Sequence, residues 1–215
     1  MTERGPVSLE VRSSYDSAAE VYAEHLFGEL EQKPLDRHLL NRFAEAVSER
    51  GLVADLGCGP GHIAKYLRDA GVTMLGIDLS PEMVRCANEM TPGIDFRVGD
   101  MKSLDLPDGS LAGIVAFYSI VHFEASELDT VFREFRRALV RGGVVLVAFH
   151  IGEMVVHVDD MWGQAVDLDF RFHLPTDVVS ALRGASIVVS EAVEREPYPD
   201  AEYPSRRCYL FATAA

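Results

Sequence analysis

The chain has 215 residues, of which 48% are hydrophobic, enough for the core of one mid-sized globular domain and too many for an intrinsically disordered chain. Its 34 acidic and 20 basic residues give a net charge of −14 at pH 7, with histidine neutral. This charge repels phosphate backbones and anionic lipids, so we expect no nucleic acid and no membrane among the partners.

Helical and strand-like segments alternate along the first 150 residues. Two helices are predicted first, over about 16–31, with Asp16 as the N-cap, and over about 35–49. The segments that follow are strands at 52–56, 73–77, 95–98, 111–118 and 144–149, with helices at about 62–70, 81–90 and 128–139 between them. This alternation is typical of a parallel sheet with helices on both faces.

The pattern changes after residue 150. Residues 151–174 show no clear period and are interpreted as an insertion, and Thr176 is predicted to cap a helix over about 177–183. Strands near 187–193 and 207–212 follow with no helix between them, which predicts an antiparallel pair. The sequence shows no linker or internal repeat, and we expect a single domain over residues 1–215.

The N-terminal stretch and the cysteines bear on the cellular compartment. Residues 1–20 are polar and lack the apolar core of a signal peptide, and no run of about 18 apolar residues is long enough to span a bilayer. Cys58, Cys86 and Cys208 form no CxxC pair, which supports neither a disulfide framework nor a thiolate metal site. We predict a cytoplasmic protein.

The most informative stretch runs from Asp55 to His62 and reads DLGCGPGH. Its alternate glycines let the backbone turn sharply and approach a ligand without a side-chain clash. A dinucleotide fingerprint would need a glycine where the chain has His62, and a phosphate-binding P-loop would need a lysine. Asp55 enters the turn from the strand, where its negative charge opposes a pyrophosphate and suits a cation.

Two more aspartates lie at the ends of the next two strands. Asp78 is placed so that its carboxylate can accept hydrogen bonds from both hydroxyls of a ribose. Asp100 is placed to accept from an exocyclic amine, and the apolar side chains of Leu79, Met83 and Met101 are suited to sandwich a flat base. Together these residues describe a site for a neutral adenosine attached to a cationic group.

Four motifs resemble those of the class I S-adenosylmethionine-dependent methyltransferases, in particular the branch that acts on small molecules. They are ADLGCGPGH at 54–62, GIDLS at 76–80, VGDMKSLDLPDGS at 98–110 and IVAFYSIVHF at 114–123. The resemblance covers roughly residues 15–213. It implies an α/β fold with a Rossmann-like, doubly wound seven-stranded sheet of order 3-2-1-4-5-7-6, in which strand 7 is antiparallel.

The resemblance also implies how the cofactor, S-adenosylmethionine, is bound. Asp55 would anchor its amino group, Asp78 its ribose and Asp100 its adenine, while Phe117 would line the sulfonium. The backbone at two glycines would contact the methionine portion. The implied cofactor-binding residues are Tyr15, Tyr22, Asp55, Gly57, Gly59, Asp78, Leu79, Met83, Asp100, Met101 and Phe117.

Several assignments near the acceptor stay open. Tyr15 and Tyr22 either close over the carboxylate end of the cofactor or simply pack an amphipathic helix. His122, after the fourth strand, is the candidate catalytic residue, either as a general base toward an acceptor hydroxyl or as a group that shapes the substrate site. His150 is a second candidate for the base. Its spacing to Glu153 and the next histidine does not match a metalloprotease motif, and we predict no metal.

The expected reaction is in-line transfer of a methyl group to an oxygen or nitrogen of a small-molecule acceptor, with S-adenosylhomocysteine as the other product. We expect N-terminal lid helices at about 15–50 and the insertion at 151–174 to form the acceptor pocket. The alternatives are a non-catalytic S-adenosylmethionine sensor or scaffold and, with less support, a nicotinamide-dependent oxidoreductase. The acceptor, the choice of oxygen or nitrogen and the oligomeric state are not determined by the sequence.

Overall fold

The computed structural model describes residues 7–215, so the first six residues of the polar N-terminal stretch lie outside the described part. The helices are α1 Val7–Leu26, α2 Pro34–Val47, α3 His62–Asp69, α4 Pro81–Met90, α5 Ala125–Ala138 and α6 Pro175–Gly184, with short 3-10 helices at Glu29–Gln32 and Ile120–His122. The strands are β1 Val53–Leu56, β2 Met74–Asp78, β3 Asp95–Val98, β4 Leu111–Phe117, β5 Leu139–His150, β6 Val155–Met161, β7 Gln164–Arg171, β8 Ile187–Arg195 and β9 Arg207–Ala214.

Seven of these strands form one sheet in the order β3-β2-β1-β4-β5-β9-β8. The strands from β1 to β5 are parallel, and β9 is antiparallel to both of its neighbours. The predicted strand order, the antiparallel strand and the direct connection between the last two strands are therefore confirmed. Because β1, β2 and β4 are parallel, their carboxyl ends lie at one edge of the sheet, where an open α/β fold binds its ligands.

Hydrophobic layers cover both faces of the sheet. β4 is buried along its whole length, and successive residues of a strand point to opposite faces. Ile114 packs in the layer formed by α5 and α6, whereas Val115 packs in the layer formed by α2 and α3. This two-sided burial holds the strand ends in fixed positions. Within residues 7–215, none of the helices combines the length and the apolar character that a bilayer crossing requires.

The structure corrects the prediction of an irregular insertion at residues 151–174. This segment contains a hairpin, in which β6 and β7 pair antiparallel. Trp162 and Gly163 form its two-residue turn, both with positive φ, and a tryptophan is an uncommon residue in such a turn. A register shift between Val158 and Asp160 also breaks the two-residue period that would have indicated a strand.

The helix starts predicted at both ends of the chain are wrong as well. α1 extends back to Val7, so Asp16 lies inside the helix and cannot be its N-cap. Its carboxylate instead accepts hydrogen bonds from Ser80 Oγ, at 2.6 Å, and from the backbone N–H of Glu82, at 3.3 Å, and so ties α1 to the start of α4. At the other end, α6 begins at Pro175 rather than after Thr176.

A buried polar network joins α2 to the last two strands. Asp36 of α2 is fully buried and accepts hydrogen bonds from Arg195 Nη2 and from the Tyr209 hydroxyl, each at 2.9 Å. Arg195 also pairs with Glu202. Burial raises the pKa of Asp36, and the nearby cation and hydroxyl oppose that rise. The network fixes the position of β9 relative to α2.

We predict that Asp36→Ala lowers the free energy of unfolding by about 3 kcal/mol, because it leaves a buried guanidinium and a buried hydroxyl without their shared acceptor. Urea denaturation measures this change. The matched control is Asp95→Ala, which removes an exposed carboxylate paired with Arg97 and should cost less than about 1 kcal/mol. Equal losses in the two variants would contradict the role given to Asp36.

Candidate functional site

A cavity of about 660 Å³ opens at the carboxyl ends of β1, β2 and β4. Its other walls are residues of α1, the hairpin β6–β7 and the start of β9. The structure brings every predicted site residue to this one cavity. Those residues are Tyr15, Tyr22, Asp55, Gly57, Gly59, Asp78, Leu79, Met83, Asp100, Met101, Phe117 and His122.

The loop between β1 and α3 can follow its course only with glycine at two positions. Gly57 and Gly61 have φ values of 72° and 84°, which L side chains rarely adopt. A Cβ at Gly57 would lie 2.4 Å from the Cβ of Ser119, and one at Gly61 would lie 2.7 Å from the ring of Phe96. The loop therefore packs its backbone directly against neighbouring side chains, and this close packing sets the shape of the cavity floor.

Two carboxylates accept hydrogen bonds from the backbone of this loop and of the segments beside it. Asp78 accepts hydrogen bonds from the backbone N–H groups of Gly59, at 2.8 Å, and Ser80, at 2.9 Å. Asp55 is 1% exposed and accepts from the N–H of Ala64, at 3.0 Å. Burial raises the pKa of Asp78, and burial raises the pKa of Asp55 to about 7. A positively charged or hydrogen-bonding ligand in the cavity would stabilise both ionised forms.

The predicted base-binding residues line one end of the cavity. Asp100 accepts a hydrogen bond from the backbone N–H of Lys102 at 2.8 Å, which fixes the turn after β3. Met83 is 1% exposed, and its backbone N–H is capped by Ser80 Oγ at the start of α4. The hydroxyl of Ser119 is buried just after β4, and among the residues that the structure describes it has no hydrogen-bond partner.

A charged pair beside the glycine loop was not predicted from the sequence. Glu29 accepts hydrogen bonds from Lys33 Nζ, at 2.6 Å, and from His62 Nε2, at 3.1 Å. Burial alone would raise the pKa of Glu29, but the bonds to His62 and Lys33 lower it to about 2. His62 Nδ1 is buried and has no partner in the described part of the chain. The only signal in the sequence is the four-residue spacing of Glu29 and Lys33, which is common on solvated helices.

Both ring nitrogens of His122 are engaged. Nδ1 lies 3.0 Å from the carbonyl oxygen of Asp169, and because a carbonyl only accepts, Nδ1 carries the proton. Nε2 therefore accepts a hydrogen bond from the hydroxyl of Tyr15, at 2.8 Å. Burial lowers the pKa of His122 to about 4, so the ring is neutral at pH 7. His122 thus joins the end of β4 to α1 and to β7.

His150, at the end of β5, lies among aromatic rings at another end of the cavity. Its ring stacks on Phe172, with centroids 5.0 Å apart, and tilts against Tyr118 at 5.1 Å. Nδ1 lies 2.7 Å from Ser205 Oγ. Burial, followed by the charges of Arg207 and Lys33, lowers the pKa of His150 to about 3. The sequence pointed to His150 but not to the cations around it.

The hairpin closes against α1 at its tip. Trp162 stacks on His25, with centroids 4.4 Å apart and an interplanar angle of 13°, and meets Tyr22 edge-on at 6.1 Å. Near the middle of the hairpin, Ser14 Oγ accepts a hydrogen bond from the N–H of Asp167 at 2.9 Å. Because α1 and the hairpin hold each other in this way, they form a joint cover over the cavity.

The two histidines of the run His150, Glu153 and His157, which the sequence analysis did not assign to a metal, lie apart. His157 is on the outer face of β6, where its Nδ1 lies 2.9 Å from the carboxylate of Asp169, whereas His150 lines the cavity. Among residues 7–215, no group of three or more histidine, cysteine or acidic side chains is arranged to hold a metal ion.

Comparison with known proteins agrees with this geometry. Residues 53–143 match a family model described as a methyltransferase domain. The chain is 27% identical over 151 residues to a malonyl-[acyl-carrier protein] O-methyltransferase of Serratia marcescens, covering 70% of this chain and 54% of that protein. It is 46% identical over 72 residues to a trans-aconitate 2-methyltransferase of Mycobacterium tuberculosis, covering 30% of this chain and 27% of that protein. The chain thus spans about half the length of these curated relatives or less.

A solved structure shares the fold. Magnesium protoporphyrin IX methyltransferase from Synechocystis, determined with bound S-adenosylmethionine, superposes with a TM-score of 0.74 over the full length of both chains at 16% identity. A [4+2]-cyclase superposes with a TM-score of 0.71 at 19% identity. Residues 53–143 are thus similar to a methyltransferase domain, and the strand order is that of a Rossmann-like methyltransferase fold.

Proposed function

We propose that this protein transfers the methyl group of S-adenosylmethionine to an oxygen or nitrogen of a small-molecule acceptor. One observation carries the proposal. The glycine loop, Asp78 and Asp100 converge on one cavity, and that cavity continues past them to residues of the hairpin and β9. A cofactor held by the first group would leave room for a second molecule beside it. The relatives' names, which include O-methyltransferases, favour oxygen as the acceptor atom.

The residues at the glycine loop fit S-adenosylmethionine. Asp55 and Asp78 supply negative charge for a ligand that carries a sulfonium and an amino group. Ser119 and His62 each have a buried polar atom beside the same cavity that has no partner within residues 7–215. We assign Asp78 to the ribose, Asp55 to the amino group, and Asp100 with the neighbouring apolar side chains to the adenine. When bound, the cofactor supplies an electrophilic methyl group.

The remaining work of this chain is to position the acceptor and exclude water. α1 and the hairpin cover the cavity. Tyr15 of α1 donates to His122, and Trp162 of the hairpin meets Tyr22 of α1 edge-on. The sequence suggested His122 as a general base. Its hydrogen bonds support a different proposal, in which neutral His122 is a positioning residue that holds the Tyr15 hydroxyl in place over the cavity.

Cys58, Cys86 and Cys208 are all buried and unpaired. Free thiols of this kind are stable in a reducing compartment, which supports the cytoplasm as the proposed location.

We predict that Asp78→Asn weakens the binding of S-adenosylmethionine by at least about 30-fold, because the charged acceptor for the ribose hydroxyls is lost. Isothermal titration calorimetry measures the dissociation constant. Asp95→Asn, at the exposed start of β3, is the control and should bind normally. If Asp78→Asn binds as tightly as the natural protein, the assignment of Asp78 to the ribose is wrong.

Methyl transfer itself is tested by the release of S-adenosylhomocysteine. With mixtures of carboxylic acids, phenols and amines as acceptors, we expect release above the rate seen with the cofactor alone. Release no faster than this background across all three classes, in a protein that binds S-adenosylmethionine, would instead support a non-catalytic sensor.

We also predict a pH dependence of stability that comes from His122. Its pKa is lowered from 6.5 to about 4 in the folded state, so its contribution to stability is fully present above about pH 6.5 and is lost as the pH falls toward 4. Between pH 7 and pH 5 the loss should be roughly 2 kcal/mol. His122→Asn should remove that part of the loss in urea denaturation. An identical pH dependence in the variant would show that His122 is not held neutral.

A further inference from the structure

We infer that the acceptor is a carboxylate carried on an apolar body, and that His150 binds it through its Nε2–H group beside Arg207 and Lys33. This inference rests on the proposed methyl transfer and names the class of molecule that would receive the methyl group. It follows from three features of the cavity: the donors at its polar end, the engaged lone pairs of His122 and His150, and the apolar side chains of the hairpin.

The hydrogen bonds around His150 decide which of its nitrogens carries the proton. Ser205 Oγ already accepts a hydrogen bond from Arg207 Nη1, at 3.4 Å, and within residues 7–215 the one acceptor in reach of its own O–H is His150 Nδ1, at 2.7 Å. We therefore assign Ser205 as the donor to Nδ1, which places the proton of the neutral ring on Nε2. Within residues 7–215 no protein group pairs with Nε2, so this N–H is available to a ligand in the cavity that His150 lines.

Positive charge surrounds this donor. Arg207 is 2% exposed, begins β9 and pairs across the sheet with His150. Its Nη1 and Nη2 donate to the carbonyl oxygens of Ser205 and Tyr203, which are uncharged acceptors. Its Nε lies 3.1 Å from Glu202 Oε2, but that carboxylate is shared with Arg195 and Lys33. Arg195 and Lys33 each have a second carboxylate, Asp36 and Glu29, whereas within residues 7–215 Arg207 has only the shared one, so an anion nearby would stabilise it.

The carboxylates that line this end of the cavity are already balanced by cations. Glu202 pairs with Arg195 and accepts from the backbone N–H of Tyr198, at 2.6 Å. Glu29 pairs with Lys33, which also lies 3.7 Å from Glu202. The charges of Arg207 and Lys33 lower the pKa of His150 by more than the charge of Glu202 raises it, so the electrostatic potential at the ring is positive.

Neither His122 nor His150 is free to remove a proton from an acceptor at this end. Nδ1 of His150 is occupied by Ser205, and Nε2 of His122 is occupied by Tyr15. A relay through Tyr15 would have to protonate His122, whose pKa burial lowers to about 4. A phenol or alcohol would need a base, and an amine would need acceptors rather than donors. A carboxylate is already nucleophilic at pH 7 and accepts hydrogen bonds.

The rest of the acceptor would meet an apolar wall. Apart from Asp160 near the turn, the cavity-facing side of the hairpin is hydrophobic, as is the residue after it, and five of these side chains are half-buried or buried. They are Val156, Val158, Met161, Phe170 and Phe172. Such a wall suits an alkyl or aryl group.

The reaction balances without any proton transfer. A carboxylate oxygen forms a bond to the methyl carbon as the bond between that carbon and sulfur breaks, and the electron pair of the broken bond stays on sulfur. The anion and the sulfonium become a neutral methyl ester and a neutral thioether.

Calorimetry on protein saturated with S-adenosylhomocysteine tests the binding step. We expect octanoate and 4-phenylbutyrate to bind at least tenfold more tightly than octanamide and 4-phenylbutyramide, which match them in shape but carry no charge. His150→Phe keeps a ring against Phe172 and removes the donor, so it should abolish the preference. Arg207→Gln should reduce it tenfold or more. The controls, His38→Phe and Arg206→Gln, alter exposed residues and should keep it.

Product chemistry gives an independent readout, because a methyl ester releases volatile methanol in alkali whereas methyl ethers and methylamines do not. Alkali-labile label from methyl-labelled S-adenosylmethionine in the presence of these acids supports the inference. Equal binding of acids and amides, or alkali-stable products alone, overturns it and leaves the proposed function intact. Failure of the protein to bind either S-adenosylmethionine or S-adenosylhomocysteine would overturn the proposed function itself.

Discussion

The close packing of the loop between β1 and α3 is the constraint on which the site depends. Gly57 has no room for a side chain beside Ser119, and Gly61 has none beside Phe96. Because the backbone runs so near its neighbours, the N–H group of Gly59 donates a hydrogen bond to the carboxylate of Asp78 on the adjacent strand. The loop, the end of β2 and the end of β4 thus become one rigid wall, and the methyl donor proposed here would be bound against it.

The opposite wall is built from distant parts of the chain that hold one another. α1 contacts the end of β4 through Tyr15 and His122, α4 through Asp16, and the hairpin tip through Trp162. His122 also donates from Nδ1 to the carbonyl oxygen of Asp169, so both of its nitrogens are engaged, in keeping with the proposed positioning role rather than that of a free base. A site made in this way provides alignment and exclusion of water, which are the contributions that methyl transfer from a reactive cofactor requires of a protein.

The sequence predicted best what depends on local pattern. Alternating apolar segments were enough to predict a parallel sheet, whereas its strand order came from the resemblance to the class I methyltransferases. The glycine loop with Asp78 and Asp100 was enough to locate the candidate site, because parallel strands end at one edge. The hairpin was missed because Trp162 occupies a turn position that glycine or asparagine usually fills. Long-range pairs were missed because no local pattern encodes them: Asp16 caps another helix, and Arg207 meets His150 across the sheet.

A crystal structure of the protein with S-adenosylhomocysteine tests the central claim most directly. The account predicts the ribose hydroxyls within hydrogen-bond distance of the Asp78 carboxylate, the adenine beside Asp100 and Met101, and the sulfur facing the space between Phe117 and the hairpin. A ligand bound elsewhere, or one whose ribose makes no contact with Asp78, would contradict it.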